Sequence, residues 1–147
     1  MAKQYISMRN LRFLLFDVFN GLELTKLDYY KEHNQDTYDM TLDAAKQISD
    51  SLLYPIYEEM DHKKPKYEDG TIKVHPKVRE IMETFGEGGW INAPKEFEKG
   101  GQQMPFLLFN LSAMVFHAAN TAAVAFPYLT AGAANLIDSF ASEDLKE

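Results

Sequence analysis

The sequence predicts an all-α fold, and three observations carry that prediction. Apolar residues recur at helical spacing in three separate stretches, within residues 8–20, 37–56 and 76–86. Residues 105–141 form a long run rich in Ala, Ser, Gly and Thr with almost no charge. Strand signals are confined to one short stretch around Asp69-Gly70.

Taken in order, Leu11, Leu14, Leu15, Val18, Phe19 and Leu22 fix an amphipathic helix over residues 8–20 that ends at Gly21. Residues 24–28 read as a linker or short helix. A second helix starts at Thr37 or Asp39, either of which can cap it. Its inward face is Leu42, Ala45, Ile48, Leu52, Leu53 and Ile56, and Pro55 predicts a kink or an end just before it. Residues 61–74 are polar, with Tyr67-Glu68 set against Ile72-Lys73-Val74 across an Asp-Gly turn. Pro76 suits the first turn of the next helix, which Val78, Ile81, Met82 and Phe85 face inward and Gly86 or Gly88 stops. The last third divides into helices 106–120 and 122–140, or breaks at Pro127. Small residues in this pair let the backbones approach or leave room for a ligand between them.

At 147 residues the chain fits one domain and can bury roughly 68–70% of its unfolded surface. A net charge of −7 excludes nucleic acid as a partner, since phosphate binding needs clustered Lys and Arg. The absence of cysteine excludes disulfides, thiolate catalysis and zinc–thiolate sites, and fits a reducing, cytoplasmic setting. Met1–Tyr5 lead into Arg9, Arg12 and Asp17 without a small-residue cleavage site, so no secretory leader is expected. A membrane span needs about 20 predominantly apolar residues. His117, Pro127, Asp138 and several asparagines interrupt residues 105–141, so a buried helical hairpin is expected instead of a span.

No motif here assembles a reaction centre. Gly86-Glu87-Gly88-Gly89 follows no strand and is followed by Trp90, so it reads as a helix end and not a phosphate cradle. Gly100-Gly101 lacks the downstream Lys-Ser/Thr of a nucleotide loop. His33, His62, His75 and His117 have no partner at metal-ligand spacing. His33 and His62 read as solvated, and His117 as a satisfied core histidine. Glu58-Glu59, Glu96, Glu98 and Glu143-Asp144 lie in polar surroundings and read as solvated faces. No catalytic and no metal-binding residue is assigned.

Several motifs stand in a fixed order: Gly88-Gly89-Trp90, Gly100-Gly101-Gln102-Gln103-Met104-Pro105, Leu129-Thr130-Ala131-Gly132-Ala133, and Ser142-Glu143-Asp144-Leu145-Lys146. This order resembles the N-terminal helical domain of the acyl-CoA dehydrogenases. Their pattern is Gly-Trp, Gly-Gly-x-Gly-x-Pro, Leu-Thr-x-Gly-Ala, then Ser-Glu-Glu-x-Lys before a β-domain. Residues 5–19 are similar to the N-terminal extension of the larger bacterial members. Leu53-Tyr54-Pro55-Ile56 and Asp69-Gly70-Thr71-Ile72-Lys73-Val74-His75-Pro76 resemble further segments of that subgroup. Two departures stand out: Gln103 replaces a glycine, and Asp144 replaces the second Glu of the closing motif.

The resemblance implies an orthogonal helical bundle of about five to six helices, with residues 1–36 as extension and linker and 37–147 as the domain proper. It implies part of an FAD-dependent enzyme that dehydrogenates an acyl-CoA thioester at its α and β carbons and passes electrons to a separate acceptor. The family's catalytic carboxylate and most flavin contacts lie in domains beyond this stretch. The 147 residues are therefore expected to be inactive alone and to hold no FAD. The positions matching the family's acyl-pocket wall are Phe126, Tyr128, Leu129, Thr130 and Ala133. Expected partners are the acyl-CoA, the electron acceptor and a β-domain, in a homo-oligomeric parent, with self-association of this piece through the face a β-domain would cover. The alternative is a stand-alone helical binding or interaction module. Residues 143–147 read as mid-helix with no stop signal, which favours the fragment.

Overall fold

The computed structural model describes residues 5–146. Met1–Gln4, where no secretory leader is expected, and Glu147, the last residue of the stretch expected to be mid-helix, lie outside the described residues. The chain is 70% helix and 4% strand, which makes it all-α.

Helix α1 (Met8–Arg12) is capped by the Ser7 hydroxyl, which accepts from the Asn10 N–H. It runs into a π-helical stretch, Phe13–Val18. The helix stops at Asn20 and not at Gly21, because Asn20 takes the left-handed conformation, φ 47°, that ends a helix. The expected linker is two 3-10 turns, Gly21–Lys26 and Asp28–Tyr30.

Helix α2 (Gln35–Ile48) starts earlier than expected. Asn34 is its cap, accepting from the Thr37 N–H, while the Thr37 hydroxyl accepts from the Asn34 N–H. Thr37 therefore closes the capping box from inside the first turn. Towards Pro55 the helix loosens into a π turn, Ser49–Leu53, and a 3-10 turn, Tyr54–Ile56, before α3 (Tyr57–His62). Proline cannot donate to the ladder, which accounts for the distortion.

Strands β1 (Lys66–Glu68) and β2 (Thr71–Lys73) form the expected hairpin, pairing Tyr67 with Ile72 and Glu68 with Thr71. Asp69 and Gly70 both have positive φ, as a type I′ turn requires. Helix α4 (Val78–Glu87) ends at Gly88.

Helix α5 (Phe106–Phe140) contains one break, at Asn120, where φ is −165° and ψ 89°. The chain doubles back there. Phe109 on the first limb and Tyr128 on the second have ring centroids 5.6 Å apart, which a straight helix rising 1.5 Å per residue forbids. The last third is thus a hairpin of limbs 106–119 and 121–140, and the break falls at Asn120 and not at Pro127. By length and composition α5 could cross a membrane, but 56% of its most apolar window is buried in the protein. A short α6 (Glu143–Lys146) follows.

The first limb is the centre of the core. Phe116 packs between Phe85 of α4 and Trp90, with centroid distances of 4.7 and 5.0 Å. Leu42, Ala45 and Tyr38 of α2 close the other side. Leu11 and Leu15 belong to the same core. Arg12 reinforces the junction through Asp39 (2.6 Å) and Asp43 (2.7 Å) of α2.

Candidate functional site

Two structural devices shape the last third. The first is Asn120, buried at the hairpin vertex. Its Oδ1 accepts from the Ala123 N–H (3.0 Å), capping the second limb. Its Nδ2 donates to the Leu53 carbonyl (3.1 Å). That carbonyl is free because the Tyr57 N–H bonds Tyr54 instead. One amide therefore satisfies two otherwise free backbone groups and ties the hairpin to the π turn Ser49–Leu53.

The second device is the turn before α5. Gln103 has φ 47°, a left-handed conformation that glycine adopts freely and other residues adopt at a cost. It is the position at which the resembled pattern carries glycine. The His33 ring holds the turn: Nε2–H donates to the carbonyls of Gln102 (3.0 Å) and Gln103 (3.1 Å). His33 is thus half-buried and structural, where the sequence reading expects a solvated side chain. At Gly101 an added Cβ would collide with the Lys95 carbonyl, and at Gly89 with the Gln102 side chain. These glycines serve close passage of one loop against another. The space beside them is filled by those neighbours, so these two glycines form no open cradle for a flavin pyrophosphate.

Two of the other histidines also depart from expectation. His117 is exposed, with its ring 5.4 Å from that of Tyr128, and is not a core histidine. His75 has a carboxylate neighbour that spacing did not reveal. Its buried ring accepts the Lys77 N–H at Nδ1 (3.2 Å), and Nε2 faces Glu59 at 3.5 Å. Only the fold brings residues 59 and 75 together. His62 is exposed, as expected. Among the described residues no group of three His, Asp or Glu could hold a metal ion.

The five expected wall residues divide between two faces of limb 121–140. Phe126, Leu129, Thr130 and Ala133 lie three or four residues apart on one face, which turns away from the core. Phe126 is half-buried and the other three are exposed. The Thr130 hydroxyl bonds back to the Phe126 carbonyl (2.9 Å), which removes its polar character from that face. Leu136, Ile137 and Phe140 continue the face. The one charged residue of the limb, Asp138, turns inward, 3.7 Å from Lys95 and 3.5 Å from Lys99. That carboxylate raises the pKa of Lys99. Both sides of the limb are thus apolar, and its single charge lies on the side that faces the protein, where a surface helix usually carries charge outward.

Tyr128 points to the opposite side. Its ring meets Phe109 and His117, and its hydroxyl is buried without a hydrogen-bond partner among the described residues. Burial pushes its ionisation above the ordinary tyrosine range. With Ile91, Pro94, Phe106, Phe109 and Ala131 it lines a groove of about 240 Å³ between the limbs. The sequence left open whether the small residues of this pair close the limbs together or leave room between them; at Ala131 and Gly132 they leave room.

Compared with known proteins, the chain matches no family model and no curated protein sequence.

Proposed function

We propose that this chain is the N-terminal helical domain of an FAD-dependent acyl-CoA dehydrogenase, a cytoplasmic, homo-oligomeric enzyme. Limb 121–140 would form one wall of its acyl pocket. The observation that carries the reading is the outward face of that limb. Phe126, Leu129, Thr130 and Ala133 share it, no charge interrupts it, and Asp138 is withdrawn to the far side. Such a face holds an alkyl chain by excluding water along its length. Small Ala133 leaves depth, and bulky Phe126 and Leu129 set the sides. The left-handed Gln103, at the glycine of the family pattern, supports the same reading.

In this reading FAD, bound by other domains, takes the hydride and passes electrons to the acceptor. This chain's residues bind and orient the acyl chain and contribute no proton transfer. The expected outcome is that the purified chain, supplied with FAD, an acyl-CoA and an electron acceptor, turns over nothing. Reading the coding sequence past Glu147 tests the assignment directly. Continuation through a β-rich segment into a second helical domain supports it, and an immediate stop codon refutes it.

A second reading, a helical binding module without enzymatic activity, is favoured by the groove at Tyr128. A fatty acid that raises the melting temperature of the wild-type chain but not of a Phe109→Trp variant would favour that reading.

A further inference from the structure

The outward face of limb 121–140 carries a pattern beyond its apolar character. Phe126, Leu129, Ala133, Leu136 and Phe140 read the same in both directions: Phe, Leu, Ala, Leu, Phe. Their spacing, alternately three and four residues, is the spacing of a seam that receives another helix. A two-fold axis through Ala133 pairs the smallest side chain with itself. It sets each Leu beside a Leu and each Phe beside a Phe of an antiparallel copy. Isologous interfaces require this kind of self-complementarity.

The exposed area suits the same occupant. Leu129, Leu136, Ile137 and Phe140 are 74%, 62%, 45% and 82% exposed. An aromatic side chain covers roughly 150–250 Å² and an aliphatic one somewhat less, so together they expose on the order of 600 Å². A monomer's largest apolar patch is typically about 300–600 Å². Each partner of a standard interface contributes roughly 800 Å². The face is therefore at the upper end of a monomer's apolar patches and supplies most of the area that one side of a standard interface needs. No charge on it opposes self-pairing, because Asp138 is held on the far side by Lys95 and Lys99.

We propose that two copies of this chain associate through limb 121–140, antiparallel about a two-fold axis at Ala133. The inference stands apart from the dehydrogenase reading. A further domain would compete for the same face, so a monomeric result here leaves that reading intact.

Sedimentation of the 147-residue chain from about 1 to about 100 μM, at about 0.15 M salt to screen its net charge, should show a monomer–dimer equilibrium. Ala133 is exposed, so Ala133→Glu and Ala133→Lys should fold like the wild type by circular dichroism. Each variant alone places two like charges at the axis and should weaken association at least about a hundredfold. Mixing the two should restore a dimer, because Glu then meets Lys across the axis. A wild-type chain that stays monomeric throughout overturns the proposal, whether or not it binds phosphatidylcholine vesicles. A dimer that Ala133→Glu leaves unchanged, or a mixture that does not recover, overturns the assigned axis.

Discussion

Asn120 and Gln103 are the residues whose local conformation most affects the last third. Asn120→Ala removes the cap of limb 121–140, about 1 kcal/mol. It also orphans the Leu53 carbonyl, about 1–3 kcal/mol more. The expected loss is about 2–4 kcal/mol in denaturant unfolding, with Asn120→Ser between wild type and Asn120→Ala because it keeps the cap alone. A change below about 0.5 kcal/mol would mean that the vertex is set by other contacts. Gln103→Gly should act in the opposite direction. It relieves a left-handed φ costing about 1–2 kcal/mol and returns part of that gain through the more flexible unfolded chain. The expected net stabilisation is roughly 0.5–1 kcal/mol, read as a higher melting temperature. The resemblance drew attention to Gln103, but the sequence alone did not show that it adopts the glycine conformation. That required seeing His33 clamp the turn.

Among the elements, helices and hairpin differ in what holds them. The α2, α4 and first-limb helices bury Leu42, Ile81 and Phe116, and the apolar spacing of their sequences made them readable in advance. The β1–β2 hairpin was readable from Asp69-Gly70 alone, because few residues tolerate that turn. All six of its strand residues are exposed, and an isolated two-stranded hairpin is marginal in water. Amides of residues 66–73 should therefore exchange with solvent at rates near those of an unfolded chain, while those of α2 and the first limb are strongly protected. Strong protection in the hairpin would reveal a packing partner. Helix boundaries were less legible than helix existence. Asn34 took the capping role expected of Thr37 or Asp39, because competing caps are decided by which side chain reaches the free amides, and Asn20 ended the first helical stretch by its left-handed backbone.

For the whole molecule, buried phenols should govern the alkaline limit of stability. Tyr38 is fully buried and donates to the Gly21 carbonyl (3.3 Å). Burial, with a smaller contribution from Tyr30, pushes its pKa up to about 12. The folded value lies above the unfolded value of about 10. Its stabilising contribution is therefore complete below about pH 10 and is lost as pH rises through about 12. Tyr5, raised by burial and then by the hydrogen bond to Asp50, and Tyr128, raised by burial, act in the same direction. The chain should unfold cooperatively above pH ~10, with phenolate absorbance and loss of helical signal rising together. Tyr38→Phe should move that transition upward. Full tyrosine ionisation near pH ~10 with the helical signal intact would show that these phenols are open to solvent.

The sequence by itself determined the helical class, the hairpin, the doubling back of the last third and a final limb with a single charge. Each depends on local periodicity, turn chemistry or composition, which neighbouring residues decide among themselves. Tertiary structure alone decided that Phe126, Leu129, Thr130 and Ala133 face outward while Tyr128 closes a groove against Phe109. It also decided that Asp138 turns inward to Lys95 and Lys99, and that Asn120 reaches Leu53 and His33 reaches Gln102. A helix fixes which residues share a face, but only the elements packed against it decide which face is buried. In limb 121–140 apolar residues occur on every side, so composition could not make that choice.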